Sequence, residues 1–124
     1  MPEIDILEII GEDPDNVAHT YHYLNESGLY QSTRFDTSGG SPEEGFGDGF
    51  HTYGVQWKAG EIIWYVDGVA VHTLTDANVS YQLMYVIINL AIGGNFNTQP
   101  VDDSRLPAEL LVDYVRVYQE RPTE

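Results

Sequence analysis

The sequence predicts an all-β fold, an antiparallel β-sandwich, and three observations carry that expectation. Val, Ile and Tyr dominate the apolar segments, with nine Tyr among 124 residues, and β-branched and aromatic residues favour strands over helices. The apolar runs are short and bounded by clusters of Gly, Pro, Asn and Asp, as in sandwiches built of many short strands. Two such runs flank Asp67-Gly68, a dipeptide that accepts the positive φ angles of a type I′ hairpin turn. The length is that of one domain.

The elements follow in chain order. "EIDILEII" (3–10) reads as a strand and stops at the turn-rich "GEDPDN" (11–16). "VAHTYHYL" (17–24) is a second strand, in which His22 points away from Tyr21 and Tyr23 if the alternation is regular. Residues 36–49, Gly-rich and polar, read as a loop. "FHTYGVQW" (50–57) is the next strand, and "EIIWYVDGVAVHTL" (61–74) the hairpin. "YQLMYVIINLAIGG" (81–94) is almost continuously apolar and reads as a strand buried on both faces, although its length also allows a helix. "LLVDYVRVYQ" (110–119) is the last strand. Trp57 and Trp64 read as core, as large aromatics usually are.

Twenty Asp plus Glu stand against five Lys plus Arg, a net charge of −15. That balance argues against nucleic-acid binding, which needs cations for the phosphates, and against anionic membranes. It suits either a high-salt surface or an ordinary acidic enzyme. Without cysteine, disulfides and thiolate metal sites are excluded. No apolar run reaches the roughly 18 residues of a membrane helix, and no signal peptide is present in these residues.

The first strand holds the candidate chemistry. Glu3 and Asp5 are two apart and share a face. Glu8 is three past Asp5 and would face the other way, unless one extra residue bulges out at Ile6-Leu7 and restores the parity. Three carboxylates on one face raise the pKa of at least one of them, leaving one group protonated beside an ionised neighbour. That is the pairing of a glycosidase. A retaining enzyme holds the two carboxyls about 5–5.5 Å apart. Glu3 and Glu8 would lie roughly 13 Å apart at Cα along the strand, so the reading requires a concave strand with both side chains leaning inward. Two other readings stay open on the residues alone: a charged edge strand protected against aggregation, and a carboxylate site for Ca²⁺.

"EIDILE" resembles the signature of glycoside hydrolase family 16, in the form with the extra residue before the last Glu that is typical of laminarinases, agarases and carrageenases. "FHTYGVQW", "EIIWYVDG", "VIINLAIGGNF" and "LLVDYVRVYQ" resemble further family segments in the same order. The resemblance implies a concanavalin A-like jelly-roll sandwich with a sugar cleft on its concave sheet. It implies a retaining endo-β-1,3-glucanase of laminarin-like polysaccharides, with Glu3 as nucleophile, Glu8 as general acid/base and Asp5 tuning the pair. An agarase or carrageenase is the alternative within the family, though the negative charge speaks against sulfated substrates. A non-catalytic carbohydrate-binding sandwich is the alternative outside it.

Further residues match by the same resemblance. His22 would line the cleft. Asn89, Asn95 and Phe96 would contact sugar, with Phe96 where laminarinases commonly carry Trp. Asp113 matches a ligand of a structural Ca²⁺, a site that would be incomplete in this chain; catalysis would need no cofactor. Residues 1–119 match the C-terminal part of the family domain, leaving 120–124 as a tail. The sandwich would accordingly be incomplete, with exposed strand edges that predict self-association and little activity from this chain alone. The family implies secretion to the extracellular space.

Overall fold

The computed structural model describes residues 2–39, 45–47, 49–95 and 99–120. Among the described residues six strands form in chain order: β1 (Glu3–Ile10), β2 (Asp13–Leu24), β3 (Tyr30–Ser38), β4 (Tyr53–Lys58), β5 (Glu61–Val66) and β6 (Val69–Thr75). They make two antiparallel three-stranded meanders, β1-β2-β3 and β4-β5-β6. The all-β class and an incomplete sandwich, rather than a closed barrel, agree with the sequence expectation. All six strands lie in a first compact unit, Met1–Val86; Ile87–Glu124 form a second.

The core of the first unit lies between its sheets. Tyr21, Ile62, Trp64 and Val79 form one buried cluster, with Ile4, Phe35 and Trp57 packed against it. Val17, Phe46 and Val66 form another. Trp64 is therefore a core residue, as expected, and Trp57 is half-buried against the core. Alternation explains the packing: Ile62, Trp64 and Val66 are buried, whereas Glu61, Ile63 and Tyr65 between them are not. The fully buried Tyr21 hydroxyl donates to the Asn78 carbonyl and accepts from the Ser80 amide, both at 2.9 Å. It thereby fixes the segment after β6 to the centre of β2.

The hairpin turn is as expected, with φ of +49° at Asp67 and +78° at Gly68. Other elements differ. The turn after β1 is shorter than "GEDPDN", and β2 begins at Asp13. Ile10 pairs with Asp13 and Ile9 with Val17, so Pro14, Asp15 and Asn16 fall in an irregular stretch where a missing N–H is tolerated. Strand β3 takes in residues 36–38, which read as loop. Its alternation is real, since Thr33, Phe35 and Thr37 are half-buried between exposed neighbours. Only Phe35 among them is strongly apolar.

The two apolar runs expected as strands, 81–94 and 110–119, carry no regular secondary structure where described. Leu83, Ile87, Leu111 and Val117 are exposed. A strand needs a neighbour for its backbone groups, and among the described residues none pairs with either run. Gly93 and Gly94, at φ +72° and +105°, close the first run. The second unit also contains a 3-10 turn, Asp103–Arg105, whose first turn is capped by the Asp102 side chain.

Candidate active site

The register of β1 against β2 places the acids. Glu3 stands opposite His22, Asp5 opposite Thr20 and Glu8 opposite Ala18. Three residues on β1 are thus matched by two on β2, with Ile6 and Leu7 in the bulge. Residues 18, 20 and 22 share one face of β2, so Glu3, Asp5 and Glu8 share that face too. The opposite face of β2 carries Val17, His19 and Tyr21, all fully buried.

The face continues onto β3. Ser32 pairs with His22, Arg34 with Thr20 and Asp36 with Ala18. The acid rows therefore read Glu3–His22–Ser32, Asp5–Thr20–Arg34 and Glu8–Ala18–Asp36. Arg34, Asp36 and Tyr30, which joins this face by alternation, escaped the sequence reading. The polar positions of "YQSTRFDTS" were the available signal.

His22 connects β1 to β3. Its Nε2 donates to Asp5 Oδ2 at 2.8 Å, and its ring stacks on Tyr30, whose hydroxyl meets Nδ1. In the neutral imidazole Nδ1 is then the acceptor. Asp5 is half-buried, and burial pushes its carboxyl above the ordinary carboxylate range. The hydrogen bond from His22 works against that rise, while the charges of Glu8 and Glu3 add to it. Behind the strand, the Trp64 indole donates to the Asp5 carbonyl at 3.0 Å and fixes the backbone at this residue. Arg34 binds Asp36 through Nη2 at 2.8 Å and holds that carboxyl below its usual range. Both partners are well exposed, so the pair adds little stability.

The structure thus brings together Glu3, Asp5, Glu8 and His22. Asn89, Asn95 and Asp113 belong to the second unit, where all three are exposed. Phe96 lies outside the described residues. Among the described residues no group of three or more His, Cys, Asp or Glu is placed to hold a metal ion. Asp113 by itself does not fit Ca²⁺, which takes 6–8 oxygen ligands. Nothing in the fold or among the relatives supports the self-association expected from the strand edges.

Comparison with known proteins matches this arrangement to one family. Similar proteins include an endo-1,3-1,4-beta-glycanase of Rhizobium meliloti (strain 1021), 38% identical over 94% of this chain and 24% of the relative. A glucan endo-1,3-beta-glucosidase A1 of Niallia circulans is 36% identical over 96% of this chain and 19% of the relative. A beta-glucanase of Rhodothermus marinus is 36% identical over 94% of this chain and 44% of the relative. The chain spans less than half the length of each of these. The profile of the glycosyl hydrolases family 16 matches residues 1–115, from before the acid strand to past Asp113; with the bulged strand that sets Glu3, Asp5 and Glu8 on one face, the chain belongs to that family.

Proposed function

We propose that the chain carries the catalytic acids of a retaining, endo-acting hydrolase of β-1,3-glucan. The observation that supports it most is the register of Glu3, Asp5 and Glu8 against a single face of β2. In this reading Glu3 attacks the anomeric carbon while Glu8 gives its proton to the departing glycosidic oxygen. The sugar is then held on Glu3 as an ester. Glu8, now ionised, takes a proton from water, which attacks the same carbon and frees Glu3. Asp5 stands between them with a carboxyl that ionises reluctantly. Its position between them lets it tune the protonation of either neighbour.

His22 orients Asp5 from the side. Asn89, Asn95 and Phe96 are proposed to contact sugar hydroxyls and faces. A structural Ca²⁺ at Asp113 would draw its other ligands from outside the described residues. Because the chain spans a minor part of its relatives, hydrolysis by these residues alone is expected to be weak. Secretion accompanies this reading, since a polymeric glucan is met outside the cell.

Reducing-end release from laminarin and from mixed-linkage β-glucan tests the proposal. It is measured for the chain and for a chimera that places it behind the N-terminal portion of the Rhodothermus marinus beta-glucanase. Glu3→Gln and Glu8→Gln should each lower release by about 10²-fold or more. If either variant matches the unmutated chimera, that residue's role is wrong. Release from agarose or carrageenan instead would move the substrate to the alternative within the family.

A further inference from the structure

The proposed mechanism uses one face of β1 and leaves unexplained why a fully buried histidine sits directly behind it. His19 has no exposed surface. Its Nδ1 lies 2.7 Å from the carbonyl of Ile6, and Ile6 is a residue of the bulge, outside the ladder pairs of β1 with β2. Its Nε2 lies 3.0 Å from Thr37 Oγ1 on β3. That hydroxyl lies 3.0 Å from His72 Nε2 on β6, in the other sheet.

The protons of this chain follow from donor chemistry. A carbonyl only accepts, so His19 Nδ1 carries a hydrogen. In a neutral imidazole Nε2 is then bare and accepts the Thr37 hydroxyl. With its hydrogen spent, Thr37 Oγ1 accepts from His72 Nε2–H. Every group is satisfied with His19 neutral, and the chain ends on the backbone carbonyl that the bulge takes out of the ladder. Burial favours the same neutral state of His19.

We infer that His19 is a positioning residue: by serving the Ile6 carbonyl, it holds the bulge in β1 and thereby sets the direction in which Glu8 projects. A regular β1 would pair Leu7, rather than Glu8, with Ala18 and would turn Glu8 toward the core side. The bulge carbonyl is tolerable inside the protein because a donor waits for it. The inference rests on the proposed function only for the importance of Glu8; the structural effect stands apart from it.

Two measurements on the chain test it without using activity. Nitrogen-15 spectra of the wild-type histidines should show His19 protonated at Nδ1 and bare at Nε2 at neutral pH. A proton on Nε2 instead would overturn the inference. Cross-strand contacts between backbone protons then compare His19→Leu with His19→Asn, whose amide keeps a donor near the Nδ1 position. In His19→Asn the Glu8–Ala18 pairing should persist. In His19→Leu it should be lost, with Leu7–Ala18 contacts in its place or β1 unpaired. Retention of Glu8–Ala18 in His19→Leu would refute the role, and loss of it in both variants would refute the donor as the cause. If His19→Leu fails to fold, the wild-type tautomer and His19→Asn still decide. A register that shifts as stated, with the chimera inactive toward every glucan, would reject the hydrolase reading and leave this one standing.

Discussion

His22 reaches Asp5 along a diagonal of the β1–β2 pair: Asp5 stands opposite Thr20 and His22 opposite Glu3, yet His22 Nε2 lies 2.8 Å from Asp5 Oδ2. The bond opposes burial, Glu8 and Glu3, all of which raise the Asp5 carboxyl. Replacing His22 with Phe removes both the donor and the ring's charge. Carbon-13 titration of the Asp5 carboxyl should therefore show it moving further above the ordinary carboxylate range. An unchanged titration would mean that the bond does not form in solution.

Asp5 itself should be destabilising when ionised. Its folded-state pKa is raised, so the folded chain binds the proton more readily than the unfolded one. Stability from this group is gained as pH falls through the folded pKa and is absent at neutral pH. Asp5→Asn keeps an acceptor for His22 and removes the charge. It should raise stability at pH 7 by about 0.5–1 kcal/mol, with the gain shrinking in acid; urea denaturation at several pH values checks both.

His19 predicts the opposite slope. Its pKa is lowered, first by burial and then by His72, against the raising effects of the Ile6 carbonyl and Asp36. The unfolded chain therefore takes up the proton first as pH drops through about 6.5. The stability from neutral His19 is complete above that pH and is lost as pH falls toward the lowered folded value. His19→Asn should flatten this part of the stability profile. An equal slope in wild type and variant would show that another group titrates there.

Two tyrosine hydroxyls make a contrast. Tyr21→Phe removes the acceptor of the Ser80 amide and the donor to the Asn78 carbonyl, and should cost about 1–3 kcal/mol. The Tyr53 hydroxyl is buried with no partner among the described residues, and burial followed by the Asp67 charge pushes its pKa up to about 12. Tyr53→Phe should be neutral or stabilising, by up to about 1 kcal/mol. Thermal melts should show a lowered midpoint for Tyr21→Phe and no lowering for Tyr53→Phe.

The acid strand was legible because its evidence is local. A spacing of two and then three forces either a bulge or a divided set of acids, and the β1–β2 register resolves it as a bulge. The Asp67-Gly68 turn was legible for the same reason. Strand β3 was hidden because its inward positions are Thr33, Phe35 and Thr37, and two hydroxyl residues do not announce a buried face. The role of His19 was not legible because its partners are a backbone carbonyl and a hydroxyl 18 positions away in sequence, which in turn meets His72 in the other sheet. The runs at 81–94 and 110–119 failed for a different reason. Apolar composition reports what a strand needs on its faces, whereas strand formation also requires a neighbour to pair with, and no described strand meets that need.

The bulge at Ile6-Leu7 also bears on which genetic changes β1 can absorb. Deleting one codon there would leave a Glu two residues after Asp5, and in a straight strand those two side chains face together. The acid face thus has two permitted spellings of different length, one bulged and one straight. An insertion between Glu3 and Asp5 has no such escape unless a second bulge forms, because it turns Glu3 to the far side of the sheet. Length variation within this short segment is therefore silent at one point and disruptive two residues earlier.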